Sequence, residues 1–210
     1  MNYLKFTQLM KGYWVFQHKI VTGRISGHNH HYNGPQTDLK QKDLMHIRAE
    51  LANDIPQIHA LTQAAFLTAA HTSHTEHLIV DALRQAEALS VSLVVEEARQ
   101  IVGHVAVSPV RISSGAEHWY GLGPVSVLPE MQRLGIGSRL IRAALAQLQT
   151  LSAHGCVVLG EPEYYQRFGF KSEPSLVLAD VPAEYFMALS FNGNVPSGEV
   201  TYHAAFNASA

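Results

Sequence analysis

The sequence predicts an α/β protein in which a central mixed, mostly antiparallel sheet is flanked by helices. Strands rich in β-branched residues follow one another from Val91 to Val127, and their connections are too short for crossovers, so these strands are antiparallel. A helical stretch then lies between two apolar segments, which predicts a parallel crossover. The 210 residues suit one domain with a full core.

The composition is that of an ordinary globular protein, with 47% hydrophobic and 15% charged residues. The net charge of −2 favours neither a nucleic-acid nor an anionic-lipid partner. No apolar run approaches the roughly 20 residues of a membrane span, and Met1 to Ile20 lacks the continuous apolar core of a secretory signal. Because Cys156 is the only cysteine, an internal disulfide is impossible, and a cytoplasmic location fits best.

Residues 1–44 differ from the rest of the chain. They mix aromatic and polar residues without a clear period and end in a turn-rich stretch, Gly23 to Gln36. Regular alternation begins after Met45, where residues 46–51 predict a short strand. We therefore expect residues 1–44 to be an N-terminal extension that is disordered, loosely packed or upstream of a natural start at Met45. Residues 45–210 are expected to form the domain.

Two helices are predicted before the central strands. The first opens at Asn53 or Asp54, with Pro56 in its first turn, where the missing N–H costs little. The second covers residues 75–88. The strands that follow are predicted at residues 91–96, 101–112 and 118–127, as a meander joined by turns.

The last part of the chain predicts the crossover. A helix follows Gly137 and stops at His154-Gly155, and the wholly apolar Cys156 to Leu159 predicts a strand buried on both faces. A short helix is predicted at residues 163–167, and a loop-rich tail is predicted to end in a strand at residues 200–206.

The chemically informative stretch joins a strand to a helix between Val125 and Ser138. Gly135 and Gly137 let a ligand approach the backbone, and the first N–H groups of a helix have no partners inside it, so a pyrophosphate fits there. Arg133 and Arg139 could add positive charge. Because Pro124 has no N–H, ladder pairing is expected to be interrupted just before Val125. Many two-glycine loops merely turn the chain, so this motif alone leaves the two interpretations about equal.

A second motif at the correct spacing favours the binding interpretation. Gln132-Arg133-Leu134-Gly135-Ile136-Gly137 matches the Gln/Arg-x-x-Gly-x-Gly/Ala signature, and Tyr165 to Phe170 looks like a Tyr-x-x-x-Gly-Phe element. Together they resemble the GCN5-related N-acetyltransferase (GNAT) superfamily, and the wider pattern around them resembles a bacterial subgroup with unassigned substrates. The resemblance covers Met45 to about Phe206.

The resemblance implies a sheet that splays between its fourth and fifth strands, with acetyl-CoA as co-substrate in the cleft and no metal. It implies transfer of the acetyl group to a primary amine by direct attack on the thioester. The cofactor-binding residues carried over from it are Val125, Ser126, Val127, Gln132, Arg133, Leu134, Gly135, Ile136, Gly137 and Ser138. A homodimer is left open.

Tyr165 aligns with the tyrosine that protonates the leaving sulfur in many members of the superfamily. A phenol is a competent donor to an alkyl thiolate. The alternatives are that Tyr165 only packs, or that Tyr164 acts in its place. Many members of the superfamily carry an asparagine that helps bind the cofactor seven residues before this tyrosine, and this sequence has Val158 at that position.

The general base cannot be identified from the sequence. Glu117, His118 and His104 are candidates that would act through a water, Glu96 and Glu97 lie in a predicted turn, and no base is needed if the amine arrives neutral.

Three other interpretations rank lower. His71, His74 and His77 have a helical spacing that could hold zinc, but the sequence supplies no partner cluster. A non-catalytic acyl-CoA sensor on the same fold is the main alternative function. A nucleotide-binding loop of another class would need a lysine that is missing here.

Overall fold

The computed structural model describes residues 45–67 and 74–209. The predicted extension at residues 1–44 lies outside the described residues. The strands are β1 (His46–Ala49), β2 (Val91–Glu97), β3 (Gln100–Pro109), β4 (Arg111–Ile112), β5 (Trp119–Val127), β6 (Gly155–Leu159), β7 (Leu176–Leu178), β8 (Phe186–Ser190) and β9 (Gly198–Thr201). The helices are α1 (Ile55–Leu67), α2 (Glu76–Gln85), α3 (Ile136–Thr150) and the short α4 (Pro162–Tyr165).

The main sheet has six strands in the order β1-β2-β3-β5-β6-β8. Every neighbouring pair in it is antiparallel except β5 and β6, which are parallel and joined by α3. The predicted mixed, mostly antiparallel sheet with one crossover is therefore confirmed. A smaller sheet of β4, β9 and β7 extends the domain beside it.

Helices cover both faces of the main sheet. Val105 and Ala106 are consecutive residues of β3, so their side chains point to opposite faces. Val105 packs in the cluster that holds the apolar residues of α3, whereas Ala106 packs with Ile58 of α1 and Val80 of α2. The central strand β3 is therefore buried on both sides.

The sheet opens between its fourth and fifth strands. The parallel ladder joins Trp119–Gly121 to Gly155–Val157 and ends there. Beyond that point β5 continues to Val127 alongside β3, and β6 continues to Leu159 alongside β8. The result is a wedge with the end of β5 on one side and the end of β6 on the other.

The β5 ladder is irregular just before the wedge. On β3, Val105 pairs with Val125, but Val107 pairs with Leu122. Gly123 and Pro124 therefore form a bulge, which confirms the expected interruption before Val125.

Several predicted boundaries were wrong. The strand predicted over residues 101–112 is divided at Val110, because its last two residues pair with β9 in the smaller sheet. The strand predicted at residues 200–206 covers Gly198–Thr201, since a 3-10 turn follows at Ala204–Asn207 with His203 capping its start. Helix α3 begins at Ile136, slightly earlier than predicted. Strands β7 and β8 were not predicted.

Candidate active site

The segment between β5 and α3 turns the chain through two left-handed backbone conformations. Pro129–Met131 form a 3-10 turn, and then Arg133 has φ +70° and Gly135 φ +83°. Glycine adopts such an angle freely, whereas an arginine there is uncommon and is most often held by its surroundings. This backbone sets the direction in which α3 starts.

The start of α3 leaves main-chain amides in front of the wedge. Gly135 precedes the helix and provides no side-chain cap, and the amide of Arg139 donates to the carbonyl of Gly135. The amides of Ile136, Gly137 and Ser138, which precede Arg139, therefore have no acceptor within the helix. Together with the helix dipole they form a position that favours an anion.

Packing fixes this helix end against the sheet. A Cβ atom added to Gly103 of β3 would lie 2.8 Å from the Cγ2 atom of Ile136. A Cβ added to Gly137 would lie 3.2 Å from the hydroxyl oxygen of Tyr164 and 3.8 Å from Val127. The absence of side chains at these two glycines lets the helix start approach both β3 and the open edge of β5.

The polar backbone groups of β5 near its end face the wedge. The amide of Leu128 donates to Val102 of β3, and alternation along the strand turns the groups of Val127 and Val125 the other way. Gln132 Nε2 already donates to the carbonyl oxygen of Val127 at 3.2 Å. The amide of Val127 and both backbone groups of Val125 are left facing the open side.

The remaining loop residues lie in three different environments. Ser126 points to the face of the sheet that α1 covers, is fully buried, and its hydroxyl donates to Thr62 of α1 at 3.1 Å. Leu134 is exposed, as is Arg133. Ser138 is half-buried and faces Tyr164. The structure thus brings the backbone of the predicted cofactor residues together, while the Ser126 side chain packs against α1 and not at the start of α3.

The two adjacent tyrosines of α4 point in different directions. The Tyr165 ring is buried, packs against Gly160 where a Cβ would lie 2.4 Å from its ring, and stacks edge-on to Phe170. The Tyr164 hydroxyl lies 3.4 Å from the hydroxyl oxygen of Ser138, and Arg167 lies over its ring. Tyr165 is therefore at the β6 side of the wedge, and Tyr164 is at the start of α3.

The candidate bases from the sequence are dispersed. The Glu96 carboxylate pairs with the guanidinium of Arg48 at 2.7 Å at the far edge of the sheet. His118 is exposed and stacks on His154. His104 alone of the candidate histidines is fully buried in the sheet, next to the strand that carries Val125. Sequence reasoning missed its polar partners, because they come from distant segments.

The contacts of the other titratable residues singled out from the sequence indicate structural roles. Burial raises the pKa of the Cys156 thiol, so this residue behaves as a small apolar side chain. His71 lies outside the described residues, His74 Nδ1 bonds the carbonyl of Phe66, and His77 stacks on His59. In residues 45–67 and 74–209 no cluster of three or more metal-ligating side chains occurs. Within those same ranges, no helix is long and apolar enough to span a bilayer.

Comparisons with known proteins agree with this geometry. Residues 88–172 match the family model described as "Acetyltransferase (GNAT) domain". The uncharacterized N-acetyltransferase YhbS of Escherichia coli (strain K12) is 33% identical over 128 residues, which cover 60% of this chain and 74% of that protein.

Solved structures are similar over most of the chain. A GNAT family acetyltransferase from Brucella melitensis, in complex with acetyl-CoA, is 51% identical with a TM-score of 0.70, over 77% of this chain and 97% of that one. YhbS from Escherichia coli, in complex with CoA, is 28% identical with a TM-score of 0.71, over 86% of this chain and 98% of that one.

Proposed function

Because this chain belongs to the GNAT family of N-acetyltransferases, we propose that it holds acetyl-CoA in the wedge between β5 and β6 and transfers the acetyl group to a primary amine. The observation that carries the proposal is the meeting of an open β5 edge with an uncapped helix start. One element offers strand-like hydrogen bonds to an extended chain, and the other receives an anion. Acetyl-CoA has an extended pantetheine arm for the first and an anionic pyrophosphate for the second.

The pyrophosphate is assigned to the loop and first turn of α3. The amides of the segment from Gln132 to Ser138 supply donors, and the helix dipole adds favourable potential. Arg133, exposed in this loop, supplies formal positive charge, whereas the Arg139 guanidinium donates to the carbonyl oxygen of Met45 at 3.1 Å. Gly137 is the position at which a side chain would obstruct this approach, since its Cβ direction leads toward Tyr164 and Val127.

The pantetheine arm is assigned to the free edge of β5. The amide of Val127 and the amide and carbonyl of Val125 can form the bonds that another strand would form. Since Gln132 occupies the carbonyl of Val127, that oxygen is not available while this bond is kept. The arm runs from the start of α3 into the wedge, which brings the thioester toward the β6 side.

The reaction is a direct acyl transfer. The neutral amine nitrogen attacks the thioester carbonyl carbon, the carbon–sulfur bond breaks, and the amine nitrogen loses a proton. The departing thiolate takes a proton, for which Tyr165 is the proposed donor because its ring lies at the β6 side of the wedge. Backbone N–H groups of β5 would polarise the carbonyl.

A thermal-shift comparison tests the cofactor assignment. A ligand present at about 100 times its dissociation constant stabilises the native state by about 2.7 kcal/mol, which raises the melting temperature of a domain this size by several degrees. We expect that increase with acetyl-CoA and CoA and none with ATP, which serves as the matched nucleotide control. A chain that binds neither acetyl-CoA nor CoA contradicts the proposal.

An acetylation screen tests the reaction. Polyamines, amino acids, aminoglycosides and peptides are offered with acetyl-CoA, and released CoA thiol is measured. Turnover with one class identifies the acceptor. Binding of acetyl-CoA without turnover of any amine would favour an acyl-CoA sensor over an enzyme.

A further inference from the structure

A histidine lies in the middle of the main sheet without any exposure to solvent. His104 is at the centre of β3, opposite Val94 of β2 and Ser126 of β5, and its exposed fraction is 0%. Its Nε2 atom is 2.9 Å from the Ser92 hydroxyl oxygen and 3.7 Å from the Glu50 carboxylate. Nothing in the cofactor assignment explains a fully buried titratable group at this position.

The hydrogen-bond directions around Ser92 determine which nitrogen of His104 carries a hydrogen. The Ser92 hydroxyl bonds Glu50, and an ionised carboxylate can only accept, so the single hydroxyl hydrogen is donated to Glu50. The Ser92 oxygen must then accept from His104, which places the imidazole hydrogen on Nε2. In the neutral ring, Nδ1 is left with a lone pair.

Glu50 is held ionised by the groups around it. Burial alone would raise the pKa of its carboxyl, but the donors that face it, His104, Arg84 and Ser92, hold that pKa well below its usual range. Arg84 donates from Nε to one carboxylate oxygen at 2.7 Å and from a terminal nitrogen to the other at 3.1 Å. The ionised Glu50 carboxylate therefore only accepts hydrogen bonds from these groups.

The lone pair on Nδ1 has no hydrogen-bond donor among the described residues, although the atom is buried. Leaving a buried acceptor unsatisfied costs about 1–3 kcal/mol, and such an atom calls for a water, a ligand or a catalytic role. Ser126, directly opposite on β5, directs its hydroxyl toward Thr62 instead. His104 thus lies on the strand next to β5, and its side chain points to the same face of the sheet as that of Ser126.

We propose that His104 accepts, through Nδ1 and one bridging water, the proton that the attacking amine releases, with Ser92 and Glu50 as the positioning residues that set its tautomer. The inference rests on the proposed acetyl transfer. As the amine nitrogen bonds the acetyl carbon, its proton passes to the water, and a proton of that water passes to Nδ1. The resulting imidazolium lies 3.7 Å from the Glu50 carboxylate, which stabilises its charge.

The proton then has a route to solvent. The Nε2 hydrogen faces the Ser92 oxygen, and the Ser92 hydrogen faces Glu50, which is partly exposed. On the outer side Arg84 also pairs with Asp81, and Asp81 pairs with His59 of α1 at 2.6 Å. Of these groups, Glu50 and Arg84 act on the charge of His104.

The pKa of His104 reflects opposing influences. Burial lowers it, Glu50 raises it, and Arg84 lowers it. A neutral, proton-accepting imidazole at neutral pH is the outcome that a base requires. Removing the Glu50 charge must lower this pKa further.

The first test determines which nitrogen of the His104 imidazole carries the hydrogen in the full-length protein. Nitrogen NMR of protein carrying isotope-labelled histidine distinguishes a nitrogen with a lone pair from one with a hydrogen, and the spectrum of His104→Gln assigns the signal. We expect the Nε2–H form for His104. A hydrogen on Nδ1 would overturn the proposal, and this result does not depend on any substrate.

The second test is kinetic, with spermidine as the amine probe. The His104→Gln amide can still donate to Ser92 but offers no basic atom. We expect turnover to fall by about 10²- to 10⁴-fold, with unchanged acetyl-CoA affinity and melting temperature. His154→Gln, an exposed histidine between α3 and β6, is the matched control and should keep full turnover.

The pH profile separates a base from a packing residue. Turnover should rise with pH as His104 loses its proton, and Glu50→Gln should move that acidic limb to lower pH. A folded His104→Gln with turnover and pH profile like the wild type overturns the proposal. Failure of the wild type to bind acetyl-CoA would instead contradict the proposed function, while the NMR result would stand by itself.

Discussion

The hydroxyl oxygens of Tyr164 and Ser138 lie 3.4 Å apart, joining α4 to the first turn of α3. The adjacent Tyr165 points into the core instead and packs on Gly160. Two neighbouring phenols thus reach different ends of the wedge, one at the proposed phosphate site and the other at the proposed thioester. This separation gives each of them a distinct expected phenotype.

Replacing Tyr165 with phenylalanine should lower turnover and spare binding. Removing a proton donor to the leaving thiolate typically costs about 10²- to 10⁴-fold in rate. The acetyl-CoA dissociation constant should stay within about twofold, since the ring and its packing are kept. Steady-state kinetics and isothermal titration calorimetry measure the two quantities.

Tyr164→Phe is the matched control for that experiment. It removes a hydroxyl at the start of α3, so it should weaken acetyl-CoA binding by about 1 kcal/mol, roughly fivefold, and leave turnover at saturation nearly unchanged. If Tyr164→Phe abolishes turnover and Tyr165→Phe does not, the proton donor is Tyr164.

Gly137→Ala should weaken acetyl-CoA binding without lowering the stability of the protein. The gain in helix propensity, at most about 1 kcal/mol, is offset by the tight contact of the new Cβ, so the melting temperature should change little. The added Cβ would lie 3.2 Å from the Tyr164 hydroxyl, inside the proposed phosphate approach, so acetyl-CoA affinity should fall by at least about tenfold. Thermal denaturation and calorimetry measure the two effects.

Gly135→Ala is the contrasting variant in the same loop. A Cβ there would meet nothing within 4 Å, but the residue has φ +83°. Alanine in that conformation should lower stability by about 1–2 kcal/mol. Equal affinities of both variants and the wild type for acetyl-CoA would show that the ligand does not approach this helix start.

Stability should decrease in two steps as the pH is lowered. The pKa of His104 is lowered in the folded state, so the unfolded chain binds the extra proton first, and stability falls as the pH drops below about 6.5. The pKa of Glu50 is also lowered, so a further loss of stability begins below about pH 4.3. Urea denaturation over a series of pH values measures both.

Single substitutions assign the two steps. His104→Gln should reduce the upper step, with the remainder coming from His77, whose pKa burial also lowers, and Glu50→Gln should weaken the lower step. Glu163→Gln, an exposed carboxylate on α4, should change neither. A wild-type curve that is flat between pH values of about 7 and 4 would contradict the buried, neutral state of His104.

Cys156 should be unreactive in the native protein. Its thiol is fully buried and its pKa is raised by burial, so little thiolate is present at neutral pH. A disulfide reagent should label it only as fast as the domain unfolds, and labelling should become immediate in concentrated urea. Rapid labelling of the folded protein would mean that β6 opens to solvent.

The backbone structure around the candidate site was predicted best where it depends on neighbouring residues. The helical period after Gly137, the two glycines and the proline before Val125 all depend on neighbouring residues, and the structure has a helix, a left-handed turn and a bulge there. Strand β8 was missed because its five residues pair with β6, about 30 residues away along the chain. The residues of such a short segment do not indicate that it will pair with β6.

The sequence alone determined the kind of sheet, the crossover helix and the glycine loop, because hydrophobic period and backbone preference are properties of adjacent residues. Only the tertiary structure decided which way Tyr164 and Tyr165 point, and that Glu50, Ser92 and His104 meet. Those contacts depend on the register of β2 against β3 and on how the chain leaves β1. A shift of one residue in that register would turn His104 to the opposite face, where α3 packs.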